Sequence, residues 1–366
     1  MKYFILAGEK SGDLHAGSLA GAIFREEPLA ELKGWGGGEM QRAGVEILQH
    51  YKDLAFMGLD FLGSLNKVRQ ALNHCKEQIN IFKPDSLILV DYSGFNLRIA
   101  KWAHKKGIRV YYYIAPKTWA WNSFRNRTIR KYVDHLLVIF PFEQSYFSSR
   151  RILTTYCGNP LVERISAFKP NPAFKEELPT EFERIVALLP GSRKSEIERV
   201  SDEMKKVARQ FENTLFVVAG VGDMGEEMYD KFECIRNCHL VFDQTYDLLS
   251  VADAAIVTSG TATLEAALFN VPQMVVYRAS ELTYFLAKRL LKIKFISLVN
   301  ILMKREVLKE LIQDDYNASN IKIRLKGLLE DTKTRKFQLE EYQLLKELLG
   351  EKKASENAAK IIVSNQ

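Results

Sequence analysis

Ala187-Leu-Leu-Pro-Gly-Ser-Arg193 and Ile256-Val-Thr-Ser-Gly-Thr-Ala-Thr-Leu-Glu265 are two stretches in which an apolar run ends in small or hydroxyl residues and an amphipathic pattern begins. Such a strand–turn–helix unit directs unpaired backbone N–H groups and the positive end of a helix dipole at one place, which suits a phosphate. Glu265 lies about one helical turn further on, where a carboxylate can accept hydrogen bonds from a ribose. The pair predicts a cradle for a nucleoside diphosphate.

Apolar runs of strand length alternate with amphipathic segments of helix length along both halves of the chain. Such alternation predicts parallel sheets with helices on both faces. We therefore expect two doubly wound, Rossmann-like α/β domains facing a cleft, with ligands at the carboxyl ends of the strands and a helical C-terminus. The predicted strands are Tyr3–Ala7, Ser86–Asp91, Arg109–Ile114, His135–Ile139, Arg184–Leu189, Leu215–Ala219, Leu240–Phe242, Ala254–Thr258 and Gln273–Tyr277. The predicted helices of the first half are Leu14–Arg25, Phe61–Phe82, Leu97–Lys106 and Phe124–Tyr132.

Length and proline content predict how the domains are divided. At 366 residues the chain is too long for one compact core and fits two ordinary domains. Pro170, Pro172 and Pro179 interrupt a charged stretch, so residues 160–183 are interpreted as an interdomain linker. We predict one domain over 1–165, a second over 166–345 and a C-terminal helix over 346–366. That helix is expected to pack on the first domain or to be swapped in a dimer.

The overall charge narrows the choice of partners. A formal net charge of +7 favours anionic ones, namely nucleotide phosphates, acidic lipid surfaces or nucleic acid. The first residues lack the architecture of a signal peptide, and no apolar segment approaches the ~20 residues of a spanning helix. A cytoplasmic location is therefore expected.

Cys234, Cys238 and His239 have no second ligand pair at zinc-site spacing, so we expect reduced thiols there.

Gly8-Glu-Lys-Ser-Gly-Asp13 follows the first predicted strand and precedes a helix. The spacing of its glycines fits neither the dinucleotide fingerprint nor the phosphate loop. The turn is consistent with a tight connection or with a ligand contact through its polar groups. The polar residues concerned are Glu9, Ser11, Asp13 and His15.

Val90-Asp-Tyr-Ser-Gly-Phe-Asn96 closes a strongly apolar strand. A carboxylate at this position lies at the mouth of the expected cleft, where burial can tune it as a general base. Asp91 is equally consistent with a cap for the following helix.

Two further patterns have both a structural and a functional interpretation. Trp119 and Trp121 follow a strand, and their rings fit either a sugar-binding wall or the core. The basic residues that come after them fit either a solvated surface or one that faces an anion; they are Arg125, Arg127, Arg130 and Lys131. Phe61, Leu62, Leu65 and Val68 form one helical stripe beside basic residues, which fits a membrane interface or core packing. Leu282–Phe295 has the same character.

Taken in order, these motifs resemble the lipid-A-disaccharide synthase family, glycosyltransferases with the two-domain GT-B architecture. The resemblance runs from the first strand to about Gln313. It rests on Gly8-Glu-Lys-Ser-Gly-Asp13, Phe56-Met-Gly58, Asp91 with Phe95-Asn96, Trp119-Ala-Trp121, Leu188-Leu-Pro-Gly-Ser-Arg193, Ser259-Gly-Thr261 with Glu265, Val276-Tyr-Arg278, Ser297-Leu-Val-Asn300 and Arg305-Glu-Val-Leu-Lys-Glu-Leu-Ile-Gln313.

The resemblance implies an inverting transfer of diacylglucosamine from its UDP donor to the 6-hydroxyl of 2,3-diacylglucosamine 1-phosphate (lipid X). The products are UDP and a β-1,6-linked disaccharide. It also implies a peripheral inner-membrane enzyme of Gram-negative bacteria that needs no metal or cofactor, and a homodimer with swapped C-terminal segments. The sequence has no D-x-D triplet, which agrees with the absence of a metal. No nucleic-acid partner is expected. The rival enzyme is another UDP-sugar enzyme of this fold, such as a UDP-N-acetylglucosamine 2-epimerase or a muropeptide-precursor glycosyltransferase. The non-enzymatic alternative is a basic protein that binds nucleic acid or a membrane surface.

Individual roles follow from the resemblance. Asp91 corresponds to the catalytic base, although many members carry a second Asp where this chain has Gly94. The first domain would bind the acceptor, and Phe61, Leu62, Leu65 and Val68 would meet the bilayer. Acceptor or cleft contacts are expected from Glu9, Ser11, Gly12, Asp13, Asn96, Trp119 and Trp121. Donor contacts are expected from Arg193, Ser259, Gly260, Thr261, Glu265, Asn300, Arg305, Glu306 and Gln313.

Overall fold

A computed structural model describes residues 1–53, 65–281, 284–285, 289, 294–330 and 333–365, without the side chains of Leu65 and Asp223. The strands are β1 Lys2–Ala7, β2 Glu31–Gly36, β3 Glu46–His50, β4 Ser86–Val90, β5 Arg109–Tyr113, β6 His135–Val138, β7 Thr154–Tyr156, β8 Arg184–Leu189, β9 Thr214–Gly220, β10 Cys238–Phe242, β11 Ala254–Thr258, β12 Gln273–Tyr277 and β13 Glu310–Ile312. The helices are α1 Lys10–Glu26, α2 Gly38–Arg42, α3 Leu65–Phe82, α4 Ser93–Lys105, α5 Arg125–Tyr132, α6 Pro141–Ser148, α7 Pro160–Ala167, α8 Lys194–Ala208, α9 Asp230–Glu233, α10 Thr245–Val251, α11 Ala262–Leu268, α12 Leu298–Met303, α13 Ala318–Leu329, α14 Lys333–Leu349 and α15 Ala354–Ser364.

The first sheet is parallel and has the strand order β3-β2-β1-β4-β5-β6-β7. The chain winds outward in one direction from β1 and in the other from β4, so the order reverses between these two strands. In open α/β sheets ligands bind at such a switch point, outside the carboxyl ends of the strands. The turns after β1 and β4 are therefore the places where a site is expected in this sheet.

Helices cover both faces of the first sheet, because its central strands are buried on both sides. On one face α3, α4 and α5 pack through Ile79, Ile99 and Ile129. On the other face Leu19 of α1 shares a core with Ile362 of α15. The C-terminal helix thus belongs to the same layer as the first helix.

The second sheet repeats this arrangement with the order β10-β9-β8-β11-β12-β13. Its switch point lies between β8 and β11. These strands end at Leu189 and Thr258, so each is followed directly by one of the turns predicted to hold phosphate. The expectation of two doubly wound parallel sheets is confirmed.

The chain divides into two compact units, Met1–Glu163 together with the chain from Leu349 onward, and Arg164–Leu348. The segment interpreted as a linker is largely not one: it carries α7, and Phe174 and Leu178 are buried in the core of the second unit. Apolar residues between the prolines therefore pack, although they have no helical periodicity. No helix in the described part of the chain is long and apolar enough to cross a bilayer.

Candidate active site

The switch point of the first sheet brings the turn after β1 into contact with the turn after β4. A Cβ placed on Gly8 would lie 2.2 Å from Cδ1 of Tyr92, so only glycine allows this approach. Glu9 and Ser11 are exposed in the first turn, and Gly12 is buried. The predicted cleft residues of the two motifs therefore share one edge of the sheet.

Asp91 and Tyr92 form a left-handed turn with φ values of +44° and +45°. Non-glycine residues seldom adopt this conformation, and two in succession store strain. The turn is held by the Asn96 amide, whose Nδ2 donates to the carbonyl oxygens of Val90 (3.1 Å) and Asp91 (2.8 Å). The Tyr112 hydroxyl also donates to the Asp91 carbonyl. Asn96 is 0% exposed. This burial favours a positioning role for Asn96 over its predicted acceptor contact.

The Asp91 side chain is not the helix cap that the sequence also allowed. Tyr92 is the N-cap residue of α4, and no side chain caps that helix. Burial raises the pKa of the Asp91 carboxyl, while the nearby Lys117 ammonium and the Tyr92 backbone N–H oppose the rise. A carboxylate with a raised pKa at the switch point is a stronger base than an exposed one, which is what proton abstraction needs.

Asp13 is engaged by the protein itself. Its carboxylate accepts hydrogen bonds from the backbone N–H groups of Gly37 (2.7 Å), Glu39 (3.0 Å) and Met40 (3.2 Å), and the residue is 3% exposed. A Cβ on Gly36 would lie 3.1 Å from the same carboxylate, so the chain passes very close to it. These contacts favour a structural role for Asp13, which fixes the start of α2, over the predicted acceptor contact.

Trp119 and Trp121 lie in different environments. Trp119 is half-buried, donates from Nε1 to Glu143 (2.9 Å) and meets the Phe142 ring edge-on. Trp121 is 52% exposed, and the Arg125 guanidinium lies 5.6 Å from its ring centroid. The core interpretation fails for Trp121, whose open face is available for contact.

Glu143 was missed at the sequence level. It is 1% exposed, and its carboxylate also accepts from the backbone N–H groups of Ile139 and Phe140. Burial raises its pKa to about 7, although Trp119, these two amides and the Lys117 charge act in the opposite direction. The only sequence signal was a Glu three residues after Phe140, at the start of α6, a spacing that also serves ordinary helix capping.

In the second unit, the turn after β8 already binds an anionic group. Gly191 has φ +112° and Arg193 is the N-cap residue of α8. The Glu196 carboxylate folds back and accepts from the Ser192 N–H (3.3 Å) and from Nη1 of Arg193 (3.1 Å). The Arg193 side chain is 76% exposed even in this ion pair, so part of its guanidinium remains accessible from solvent.

The turn after β11 is open at its tip. The Ser259 hydroxyl donates to the Ile296 carbonyl (2.9 Å), and its N–H donates to β12, so this residue anchors the turn. Gly260 and Thr261 are exposed, and a Cβ on Gly260 would meet no atom within 4 Å. Their N–H groups are therefore the accessible donors of the predicted phosphate turn.

Glu265 is held by partners that the sequence analysis did not name. Its carboxylate accepts from the Tyr246 hydroxyl (2.9 Å), and the Arg164 guanidinium lies 4.9 Å from the centre of the Tyr246 ring. Burial raises the pKa of Glu265, and the Tyr246 hydrogen bond and the Arg164 charge oppose the rise. The carboxylate is thus oriented before any ribose arrives.

Asn300 is part of the scaffold. It is 0% exposed; its Nδ2 donates to the Leu308 carbonyl (2.8 Å) and to Glu310 (2.9 Å), while its Oδ1 accepts from the N–H groups of Val307 and Leu308 (2.8 Å each). Glu310 also accepts from the N–H of Ser297. All amide atoms of Asn300 are already bonded within the protein, which favours a structural role over the predicted donor contact.

The remaining predicted donor residues differ in how free they are. The Gln313 amide forms two hydrogen bonds with the backbone of Ala279, so it positions that loop. Arg305 pairs with Glu341 and stays half-exposed, and Glu306 is exposed.

The proposed membrane stripe is only partly described. Phe61 and Leu62 lie outside the described residues, as does the Leu65 side chain, while Val68 is half-buried. Within the described part of the chain, no three His, Cys, Asp or Glu side chains are grouped as metal ligands.

Sequence comparison relates the whole chain to one family. A profile described as lipid-A-disaccharide synthetase matches residues 3–363. A lipid-A-disaccharide synthase of Syntrophus aciditrophicus is 37% identical over 369 residues, covering 97% of this chain and 95% of the relative. One of Legionella pneumophila is 35% identical over 369 residues, covering 98% and 96%.

Solved structures resemble the fold at low identity. A UDP-N-acetylglucosamine 2-epimerase of Neisseria meningitidis bound to UDP-N-acetylglucosamine has a TM-score of 0.63 at 12% identity, covering 100% of this chain and 99% of its own. The glycosyltransferase of kitacinnamycin has a TM-score of 0.67 at 13% identity, covering 99% and 98%. These likenesses support the GT-B fold.

Proposed function

We propose a function from the premise that this chain belongs to the lipid-A-disaccharide synthase family of glycosyltransferases. In this proposal the protein joins UDP-2,3-diacylglucosamine to lipid X through a β-1,6 bond and releases UDP. The observation that carries the proposal is the half-buried Asp91 carboxylate at the switch point of the first sheet. The two turns predicted to hold phosphate, at the switch point of the second sheet, would supply the matching contacts to the donor diphosphate.

In this proposal Asp91 accepts the proton of the acceptor 6-hydroxyl. The oxygen attacks the anomeric carbon from the face opposite the diphosphate, which departs with the electron pair of the broken bond. A sugar hydroxyl is too weakly acidic to attack unaided at neutral pH, and a positioned base contributes ~10²–10⁴-fold. The strained turn at Asp91 and Tyr92, locked by Asn96, supports such positioning.

The second unit would hold UDP without a metal. The exposed Arg193 guanidinium and the N–H groups of Gly260 and Thr261 would neutralise the charge that develops on the departing diphosphate. Glu265, already oriented by Tyr246, would accept from the ribose hydroxyls. Arg305 and Glu306 would add donor contacts from the surface. Glu196 would have to give way, since its carboxylate occupies the turn after β8.

The acylated substrates suggest where the enzyme works. We propose that it associates peripherally with the inner membrane, and that the stripe containing Phe61, Leu62, Leu65 and Val68 contributes apolar contact. A homodimer with exchanged C-terminal segments is a further proposal. It would replace the bonds that Ser355 makes with Glu163 of the same chain by bonds to a partner chain.

A single assay tests the proposal. Purified protein is incubated with synthetic UDP-diacylglucosamine and lipid X in detergent, and the product is identified by mass spectrometry. We expect one disaccharide 1-phosphate and one UDP per turnover, with no change on addition of a chelator. Turnover of UDP-N-acetylglucosamine alone, with none of the acylated donor, would instead assign the chain to another UDP-sugar activity, such as 2-epimerisation.

A further inference from the structure

One continuous stretch of the sequence accounts for the net positive charge of this protein. Residues 92–133 contain ten Lys or Arg and no Asp or Glu, whereas the rest of the chain has 42 basic against 45 acidic residues. A net charge of +7 is therefore the sum of a segment at +10 and a remainder at −3. Such separation of charge indicates a surface built for an anionic partner.

Folding gathers much of this charge on one surface. Helices α4 and α5 lie side by side on one face of the first sheet, and the ammonium groups of Lys101 and Lys131 lie 5.9 Å and 5.5 Å from the same Tyr132 ring. We call the outer surface of these helices, with the turn before α5, the basic face. It comprises Arg98, Lys101, Lys105, Trp121, Phe124, Arg127, Arg130 and Lys131, all of them exposed.

The cations of the basic face are not neutralised within the protein. No carboxylate of the described residues forms an ion pair with an Arg or Lys of this face, and Asp134, just beyond α5, lies 3.7 Å from His104 instead. Helix α8 shows the contrast: there Lys205 and Lys206 pair with acidic residues three positions earlier, at 2.9 Å and 2.7 Å. Unpaired cations of one sign repel each other, so an external anion would stabilise them.

Two large aromatic side chains border the cations. Trp121 is 52% exposed and Phe124 is 69% exposed, in the turn that leads into α5. Aromatic rings beside basic residues are typical of surfaces that insert into the headgroup region of a bilayer. The turn is tied to the candidate site, because the Arg125 guanidinium lies over Trp121 and donates to the Ser93 hydroxyl (2.6 Å), two residues from Asp91.

We propose that the basic face docks on a bilayer of anionic phospholipid, with the lipid phosphates against α4 and α5 and the rings of Trp121 and Phe124 among the headgroups. This inference deepens the proposed function by naming a second membrane surface besides the stripe that contains Leu62. The turn with Trp121 and the start of α4 at Ser93 lie at the carboxyl edge of the first sheet, so docking through the basic face keeps that edge, and with it Asp91, beside the membrane. An acceptor that carries acyl chains and a phosphate lies in that same layer.

Co-sedimentation with vesicles tests the docking surface. Partition of the full chain is measured into vesicles of phosphatidylcholine with about one-third phosphatidylglycerol, and into phosphatidylcholine alone. Since one basic residue near an anionic surface contributes about 1 kcal/mol, or about fivefold in partition, the triple variant Arg127→Gln, Arg130→Gln, Lys131→Gln is expected to bind the anionic vesicles roughly 100-fold more weakly. Raising the salt should weaken the wild type in the same direction.

A matched variant changes charge to the same extent elsewhere. Lys194→Gln, Lys205→Gln, Lys206→Gln removes three positive charges from α8 in the second unit. This variant is expected to leave partition within about twofold, because each of the three ammonium groups already pairs with a carboxylate of the same helix, at 4.0 Å, 2.9 Å and 2.7 Å. A second basic-face variant, Trp121→Ala with Phe124→Ala, is expected to lose binding to both kinds of vesicle. Thermal melting of every variant shows whether it is folded.

Three outcomes would overturn the docking surface. They are wild-type partition of the folded basic-face triple variant, an equal loss in the α8 variant, or binding of an oligonucleotide tighter than that of anionic vesicles. Disaccharide synthesis in detergent separates this test from the proposed function. The triple variant should retain wild-type turnover in micelles, and a protein inactive in micelles but bound through this face would refute only the proposed reaction.

Discussion

Replacing Asn300 by alanine should lower the stability of the second unit without weakening the binding of the donor substrate. The side chain makes four hydrogen bonds inside the protein and is 0% exposed. Each such bond contributes about 1 kcal/mol net, and buried groups left unpaired add to the loss, so Asn300→Ala should lower the free energy of unfolding by about 4 kcal/mol. For a unit of this size the melting temperature should fall by about 8–16 °C.

The assay combines thermal melting with kinetics at a temperature where both proteins are folded. Asn300→Ala should keep the donor KM within about threefold, because a positioning residue in a folded protein touches no substrate. Glu306→Gln is the matched variant. Among the described residues its exposed carboxylate pairs with Lys309 alone (3.2 Å), so its loss costs less than about 1 kcal/mol. It should raise the donor KM instead. A wild-type melting temperature with a raised donor KM in Asn300→Ala would refute this assignment.

Three further perturbations have defined outcomes. Gly94→Asp should raise the free energy of unfolding by about 1 kcal/mol, as measured by thermal melting. A Cβ at this position meets nothing within 4 Å, and a carboxylate in the first turn of α4 interacts favourably with the helix dipole. Destabilisation would show that the space around Gly94 does not admit a side chain. Because the pKa of buried Glu143 is raised from 4.5 to about 7, the folded state binds a proton that the unfolded state loses. Stability should therefore fall as pH rises from about 4.5 to 7, by up to about 3 kcal/mol, and a pH series of denaturant melts should show this slope flattened in Glu143→Gln. Gly34→Ala should abolish folding of the first unit, as judged by circular dichroism, because the new Cβ would lie 1.9 Å from the Ile5 carbonyl oxygen; a folded variant would contradict the strand pairing.

Hydrophobic pattern predicted the central strands because these are apolar along their whole length. The five residues of β4 are all buried, which matches the continuous run Leu87–Val90. The strands missed were β2, β3, β7 and β13. In β2 two glycines interrupt the pattern. Strands β3, β7 and β13 lie at sheet edges, where short, half-polar sequences suffice.

Residues of the candidate site could be predicted where they directly follow a strand at a switch point of a sheet. Asp91 and the turn at Gly260 follow the strands at the two switch points, so their place could be read from the strand pattern. The partners of Glu143 and Glu265 could not, because Trp119 and Tyr246 lie 24 and 19 residues away and meet them only in the fold. Asn300 is the opposite case. Its place in a family motif led to the prediction of a donor contact, whereas the structure shows its side chain joining the protein's own loops.

The reaction at Asp91 is the central claim, and steady-state kinetics of Asp91→Asn with the acylated donor and acceptor tests it most directly. The amide keeps the size of the side chain but cannot accept a proton, so kcat should fall by about 10²–10⁴-fold while UDP binding and the melting temperature stay close to those of the wild type. The double variant Asp91→Asn, Gly94→Asp should remain equally slow. Turnover by Asp91→Asn within a few-fold of the wild-type rate, in a folded protein, would contradict the account.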